Sequence, residues 1–237
     1  MSEKTLLKNG INAYNEKRYK DALRYFKKYH DGAKSGHAED YWFFAGLVYI
    51  RMGDLDNAID HLRKLIKVKL PLVEGIRLRM LLGYVYALKS EFKVAKDIFQ
   101  SVLKIQDENV QALSALGYIA FKQGHPKESV KLLKRAVKAD EKNPNAHNSL
   151  GFIYATTEDK FDLALKECET ALTLKPGYPA YLDSIGWTYY RMGNLQMAKR
   201  FLTEALDRLP ENDEIRDHFR EVVVKELAQK KHKDRID

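Results

Sequence analysis

The side chains capable of chemistry lie scattered along the chain and form no catalytic or metal-binding motif. No two of the seven histidines stand four residues apart on one helix with a carboxylate, which is the spacing of a helical zinc site. The single cysteine, Cys168, has no clear histidine partner, and we expect an inert buried thiol there. Asp183 lies near Trp187 and Tyr190 but has no second carboxylate on its helical face. No glycine-rich phosphate loop is present, so we expect no enzymatic activity and no cofactor or metal.

The bulk composition predicts an ordered chain without a membrane segment. Of its 237 residues, 45% are apolar and 31% are charged, which is typical of globular proteins. No apolar run approaches the roughly 18 residues that a membrane span requires, and the start of the chain lacks the apolar core of a secretion signal. One cysteine allows no internal disulfide and fits a reducing compartment. We therefore expect a cytoplasmic protein.

The net charge of +8 is compatible with several partners: nucleic acid, an anionic membrane or an acidic protein. The basic residues are spread widely, with Lys17 near the start, Arg63 and Lys64 in the middle and Lys230 near the end. Exposed basic side chains on helices commonly serve solubility alone. Charge by itself therefore selects no partner.

One sequence motif repeats along the whole chain, and its spacing predicts how the helices are arranged. Its glycines are separated by 36, 37, 34, 34 and 35 residues, at Gly10, Gly46, Gly83, Gly117, Gly151 and Gly186. An alanine or serine follows each glycine after 12 residues, except that Ala164 follows Gly151 after 13. Each copy has two stretches with apolar residues at helical spacing, joined by a turn such as "MGDLD" or "QGHPK". We therefore expect two helices in each copy.

This pattern resembles the tetratricopeptide repeat family, whose unit of 34 residues is a helix-turn-helix. The sixth copy carries the family's residues most fully, at Leu182, Gly186, Tyr189, Ala198, Leu202, Ala205 and Pro210. The resemblance implies an all-α fold, a right-handed α-solenoid of six units over residues 1–210. The units are expected at about 3–38, 39–75, 76–109, 110–143, 144–178 and 179–212. A capping helix is predicted over 213–230 and a basic frayed tail over 231–237, and the extra residues "LPLVEG" are expected to kink the superhelix.

The resemblance also implies a function and a site. In this family the first helices line a concave surface at the second, fifth, ninth, twelfth and thirteenth positions of each unit. The ninth position here is aromatic in four consecutive units. Exposed aromatic residues are typical of interfaces. We therefore expect a non-catalytic adaptor or scaffold that binds an apolar or amphipathic segment of a partner protein, with or without acidic flanks, within a larger complex. The predicted partner-binding residues are Phe43, Leu47, Arg51, Met80, Tyr84, Tyr118, Phe121, Lys122, Asn148, Phe152, Asp183, Trp187, Tyr190 and Arg191.

Three alternatives remain open from the sequence. The aromatic residues could pack against neighbouring helices or lie beneath the chain's own C-terminal helix. Basic and aromatic residues could together hold nucleic acid, although no regular pair of polar code residues recurs from unit to unit. The apolar start of unit 1, with Leu6, Leu7 and Ile11, could pair with a second copy. The lysine and asparagine pattern with which some family members hold chaperone tails is absent.

Overall fold

The structure is a computed structural model that describes residues 1–32 and 38–233. All the regular structure in these ranges is helical. Thirteen α-helices follow one another: α1 (Glu3–Asn15), α2 (Tyr19–Asp31), α3 (Ala38–Met52), α4 (Leu55–Ile66), α5 (Leu72–Leu88), α6 (Phe92–Leu103), α7 (Val110–Lys122), α8 (Pro126–Ala139), α9 (Pro144–Ile153), α10 (Phe161–Leu174), α11 (Pro179–Arg191), α12 (Leu195–Arg208) and α13 (Asp213–Lys233). The all-α prediction is therefore confirmed.

The chain divides into two compact units. Unit 1 is Met1–Asp107 and contains three helix pairs, α1 to α6. Unit 2 is Glu108–Asp237 and contains three further pairs, α7 to α12, with α13 packed on the last of them. The described helices extend to Lys233, whereas residues 234–237 of the predicted tail lie outside the described part. No described helix is both long enough and apolar enough to pass through a bilayer.

Helix ends follow the local side-chain chemistry. The carboxylate or amide oxygens of Asp54, Asn109, Asn143 and Asn194 accept a hydrogen bond from the backbone three residues later, which satisfies a free N–H of the first turn. Between the two helices of every pair one residue takes a left-handed conformation. These residues are Lys17, Gly53, Ser90, Gly124, Asp159 and Gly193.

The repeated glycine marks the closest approach of the two helices in a pair. A Cβ atom added at Gly117 would lie 2.8 Å from Cγ of Leu133, and one at Gly83 would lie 2.6 Å from the ring of Phe99. In five pairs the opposing residue comes 16 positions after the glycine, and in the fifth pair it is Cys168, 17 positions after Gly151. Glycine costs about 1 kcal/mol in a helix relative to alanine, and the close packing offsets that cost.

The extra residue of the fifth pair is absorbed in a π-helical turn. This turn, Tyr154–Glu158, follows α9 directly and ends at Asp159, which has a φ of 50°. A single inserted residue commonly widens an α-helix into such a turn. The insertion therefore stays local, and Ala164 and Cys168 of α10 are still fully buried.

The core lies between the helices of successive pairs. In unit 1, Phe26 is 1% exposed and stacks on Phe44 with ring centroids 4.8 Å apart. Leu6 is also buried, at 8% exposure, and therefore belongs to this core. In unit 2, Ile215 and Val222 of α13 are buried in a cluster with residues of α11 and α12, so α13 is the capping helix that the sequence predicts. The segment "LPLVEG" contributes the first turn of α5, which begins at Leu72.

The close approach at Gly151 can be tested by adding one methyl group. A Cβ there would meet the Cys168 sulfur and lie 2.8 Å from the carbonyl oxygen of Ala164, and backbone cannot move aside as a side chain can. We expect Gly151→Ala to lower the free energy of unfolding by about 1–3 kcal/mol, measured by urea denaturation.

Gly75→Ala is the matched control for this test. Its added Cβ would meet only the far end of the Arg79 side chain, at 3.1 Å, and the helix would gain alanine's higher propensity. We expect its stability to be unchanged or slightly raised. Equal losses in both variants would contradict this account.

Candidate partner-binding surface

The predicted binding residues of unit 1 divide into exposed and buried side chains. Phe43 and Tyr84 are 40% and 42% exposed, as a binding role requires. Leu47 is half-buried, and the Arg51 guanidinium donates to the Tyr14 hydroxyl at 3.1 Å. Met80 is only 5% exposed. Its side chain is part of the core, so the expectation that it lines an open surface is wrong.

Unit 2 contains a cavity of about 200 Å³ among the first helices of its three pairs. Its lining is formed by Tyr118, Phe121, Leu133, Asn148, Ser149, Phe152, Ile153, Ala180, Asp183, Ser184 and Glu214. Five of the predicted binding residues lie here together: Tyr118, Phe121, Asn148, Phe152 and Asp183.

Three aromatic side chains, those of Tyr118, Phe121 and Phe152, line this cavity. The rings of Phe121 and Phe152 meet edge to face, with centroids 6.2 Å apart. Tyr118 is 48% exposed, and the Lys122 ammonium lies 5.6 Å from its ring centroid. Side chains on packed helices are held more firmly than side chains on loops. The geometry therefore provides a preformed apolar recess with one open aromatic side chain.

The capping helix covers the other predicted aromatic residues of unit 2. His218 of α13 stacks on Trp187 at 4.3 Å between ring centroids and donates from Nδ1 to the carboxylate of Asp183 at 2.9 Å. The ammonium of Lys225 stands 4.7 Å from the ring centroid of Tyr190. Asp183 is only 6% exposed. The expectation that Trp187, Tyr190 and Asp183 form an open groove is therefore wrong, because the chain's own helix lies on them.

The pairing of His218 with Asp183 changes the proton affinity of the imidazole. Burial of the ring lowers the pKa of His218, but the hydrogen bond and charge of Asp183, together with the charges of Glu214 and Glu221, outweigh that effect and raise the pKa above its ordinary value. The imidazole of α13 thus binds the carboxylate of α11, and its protonated form binds that carboxylate more strongly. Sequence reasoning missed His218 and Glu214 as part of this site because they lie 35 and 31 residues after Asp183.

Arg191 holds the π-helical turn. Its guanidinium donates to the carbonyl oxygen of Thr156 at 2.9 Å and to the carboxylate of Asp159 at 2.7 Å. Carbonyl groups at the end of a helix lack partners within the helix, and Arg191 supplies one. The side chain expected to select a charged partner therefore already has a structural role.

Two further side chains that could be reactive, Cys168 and His147, have structural roles. Burial raises the pKa of the Cys168 thiol well above its ordinary value, which opposes formation of the reactive thiolate. His147 contacts Glu167 through Nδ1 at 2.6 Å and the carbonyl oxygen of Glu141 through Nε2 at 3.0 Å. The sequence predicts a buried thiol at Cys168, which is 0% exposed. Within the described residues, no group of three or more histidine, cysteine, aspartate or glutamate side chains could hold a metal ion.

These features define a helical repeat protein with an aromatic recess. Sequence profiles of the tetratricopeptide repeat match residues 39–70, 88–151 and 180–209. The chain belongs to the tetratricopeptide repeat family.

Two curated relatives illustrate the similarity. Over 114 residues the chain is 32% identical to the TPR repeat-containing protein PA4667 of Pseudomonas aeruginosa. This alignment covers 48% of this chain and 19% of that protein. Over 146 residues it is 29% identical to the human Cell division cycle protein 16 homolog, covering 57% of this chain and 23% of that protein. The matched region thus spans about a fifth of each relative.

Solved structures share the fold. The crystal structure of the APC/C hetero-tetramer Cut9–Hcn1 superposes with a TM-score of 0.71 at 18% identity, covering 93% of this chain and 42% of that one. A crystal structure of MamA protein gives a TM-score of 0.53 at 22% identity, covering 73% of this chain and 92% of that one. At these identities the likeness concerns the fold alone.

The contact between His218 and Asp183 predicts a pH-dependent stability. Because folding raises the pKa of His218, the ion pair contributes fully to the free energy of unfolding below the unfolded-state pKa of about 6.5. This contribution is lost as the pH rises through the raised pKa of the folded state. Glutamine can still donate a hydrogen bond but carries no charge. We expect His218→Gln to cost about 1–3 kcal/mol at acidic pH and much less at alkaline pH, measured by denaturation in each buffer.

His125→Gln is the control, since His125 is exposed and its side chain does not cap α8. Its effect on stability should be small at both pH values. A cost of His218→Gln that stays the same across the pH range would refute the ion pair.

Proposed function

We propose that this chain is a non-catalytic scaffold that binds a segment of a partner protein. The surface that binds it is the unit 2 cavity together with the exposed ring of Tyr118. The observation that carries this proposal is an open recess with walls from Tyr118, Phe121 and Phe152, built on packed helices. Repeat proteins commonly use such surfaces for binding, and buried aromatic contacts supply much of the energy at protein interfaces.

The cavity fits a protein segment better than nucleic acid. Asp183 and Glu214 both line it, and carboxylates repel the phosphates that dominate nucleic-acid binding. Its volume of about 200 Å³ also suits a single amino-acid side chain. Although the whole chain is basic, the charge at this recess has the opposite sign.

Unit 1 offers a second surface for the same partner. Phe43 and Tyr84 are exposed on α3 and α5, and we propose that they add contacts of lower specificity. Tyr84 packs edge-on against Phe99, at 5.3 Å between ring centroids, so its position is fixed before binding. A ring that is already ordered loses less entropy when it meets a partner.

The proposal can be tested by truncating Tyr118. We expect Tyr118→Ala to weaken partner binding about 30-fold, as loss of a central aromatic contact does, because the ring is the exposed part of the recess. The measurement is affinity capture from nuclease-treated lysate of the source cells, followed by titration of the captured protein against each purified variant.

Tyr178→Ala is the matched control. Tyr178 is 38% exposed, comparable with Tyr118, but does not line the cavity. Capture should survive this change. If Tyr118→Ala and Tyr178→Ala bind the partner equally well, the recess is not the binding surface. If capture disappears after nuclease treatment, nucleic acid replaces protein as the ligand.

A further inference from the structure

We propose that the unit 2 cavity selects an arginine side chain of the partner. This inference rests on the proposed function and adds the chemistry of the anchor. It depends on three features of the recess: its hydrogen-bond acceptors, its aromatic walls and the sign of its charge.

The cavity lining contains an acceptor that lacks a donor. The side-chain oxygen of Asn148 is buried and has no hydrogen-bond partner. Glu214, in the first turn of α13, brings a carboxylate to the lining. Asp183 already accepts from His218, so Asn148 and Glu214 supply the acceptors that remain. A buried acceptor without a donor costs about 1–3 kcal/mol, and a ligand with N–H groups would recover that cost once the Asn148 amide turns toward the cavity.

The lining residues include no lysine, arginine or histidine. Asp183 is paired with His218, so Glu214 gives this mainly apolar recess its negative charge within a chain whose net charge is +8. Complementary charge favours a cationic ligand there and disfavours an acidic one. The anchor would thus be basic, whereas the sequence led us to expect an apolar anchor.

The aromatic walls favour arginine over lysine. A guanidinium group is planar, stacks on aromatic rings and presents five N–H donors, while an ammonium group is compact and strongly hydrated. Tyr118 and Phe152 offer ring surfaces for stacking, and Asn148 and Glu214 accept the hydrogen bonds. The methylene groups of arginine match the apolar remainder of the wall, which Phe121, Leu133 and Ile153 form.

The test uses four tripeptides of the form acetyl-Gly-Xaa-Gly-amide, where Xaa is arginine, lysine, citrulline or norleucine. Citrulline has nearly the shape of arginine without its charge. Each peptide is titrated into the full chain, and binding is followed by NMR at the backbone amides of Asn148, Ser149 and Ile153. We expect the arginine peptide to bind at least about fivefold more tightly than the citrulline peptide, in line with a charged hydrogen bond.

Two substitutions localise the effect. Glu214→Gln should weaken the arginine peptide about threefold, as expected for a partly exposed ion pair, without changing the citrulline peptide. Asp217→Asn is the control, because Asp217 is an exposed α13 carboxylate that pairs with Arg220 and does not line the cavity. Asn148→Asp adds a negative charge and should strengthen binding of the arginine peptide.

The outcomes separate this inference from the proposed function. If the norleucine or citrulline peptide binds as tightly as the arginine peptide, the recess takes an apolar anchor and the arginine proposal is wrong, while the scaffold proposal stands. A dissociation constant above about 10 mM for the arginine peptide also overturns the arginine proposal. Failure of the scaffold proposal is recognised separately, by a partner that Tyr118→Ala still binds.

Discussion

The close approach of two helices at a shared glycine is the constraint on which the rest of this structure depends. At Gly46, Gly117 and Gly186 a leucine from the second helix lies against bare backbone, so no side chain holds the helices of these pairs apart. Each pair thereby becomes a rigid element with a defined separation. Because a single pair cannot bury its own apolar residues, successive pairs must stack. The first helices α7, α9 and α11 then lie side by side, and the cavity exists because of that alignment.

The capping helix both completes the core and limits the site. Ile215 and Val222 of α13 bury the apolar face that α11 and α12 would otherwise expose. The same helix places His218 on Trp187 and against the carboxylate of Asp183, so Trp187 is covered, whereas Asp183 still lines the cavity. The aromatic surface that remains open in unit 2 is the recess around Tyr118. Stability at the end of the repeat array is therefore gained at the expense of part of the aromatic surface.

One irregularity in the sequence has a direct structural counterpart. The alanine after Gly151 comes one residue late, and the π-helical turn at Tyr154–Glu158 takes up that residue. Arg191 then donates to the freed carbonyl of Thr156. The repeat pattern assigns Arg191 to a binding surface, but its side chain instead binds the π-helical turn of the neighbouring pair. A regular repeat pattern cannot foresee this use, because it assumes that every unit has the same geometry.

The sequence by itself determined the repeats, the helical class, the pairing of helices and the capping role of α13, because periodic apolar residues, glycines and capping side chains act through neighbours at fixed spacing. It also identified Tyr118, Phe121, Asn148 and Phe152, which the cavity brings together. Tertiary structure alone decided which aromatic residues stay open. Met80 turns into the core, and Trp187 lies beneath His218, which comes 31 residues later in the chain. Contacts between residues so far apart depend on how α13 packs across α11, and local periodicity carries no information about that packing.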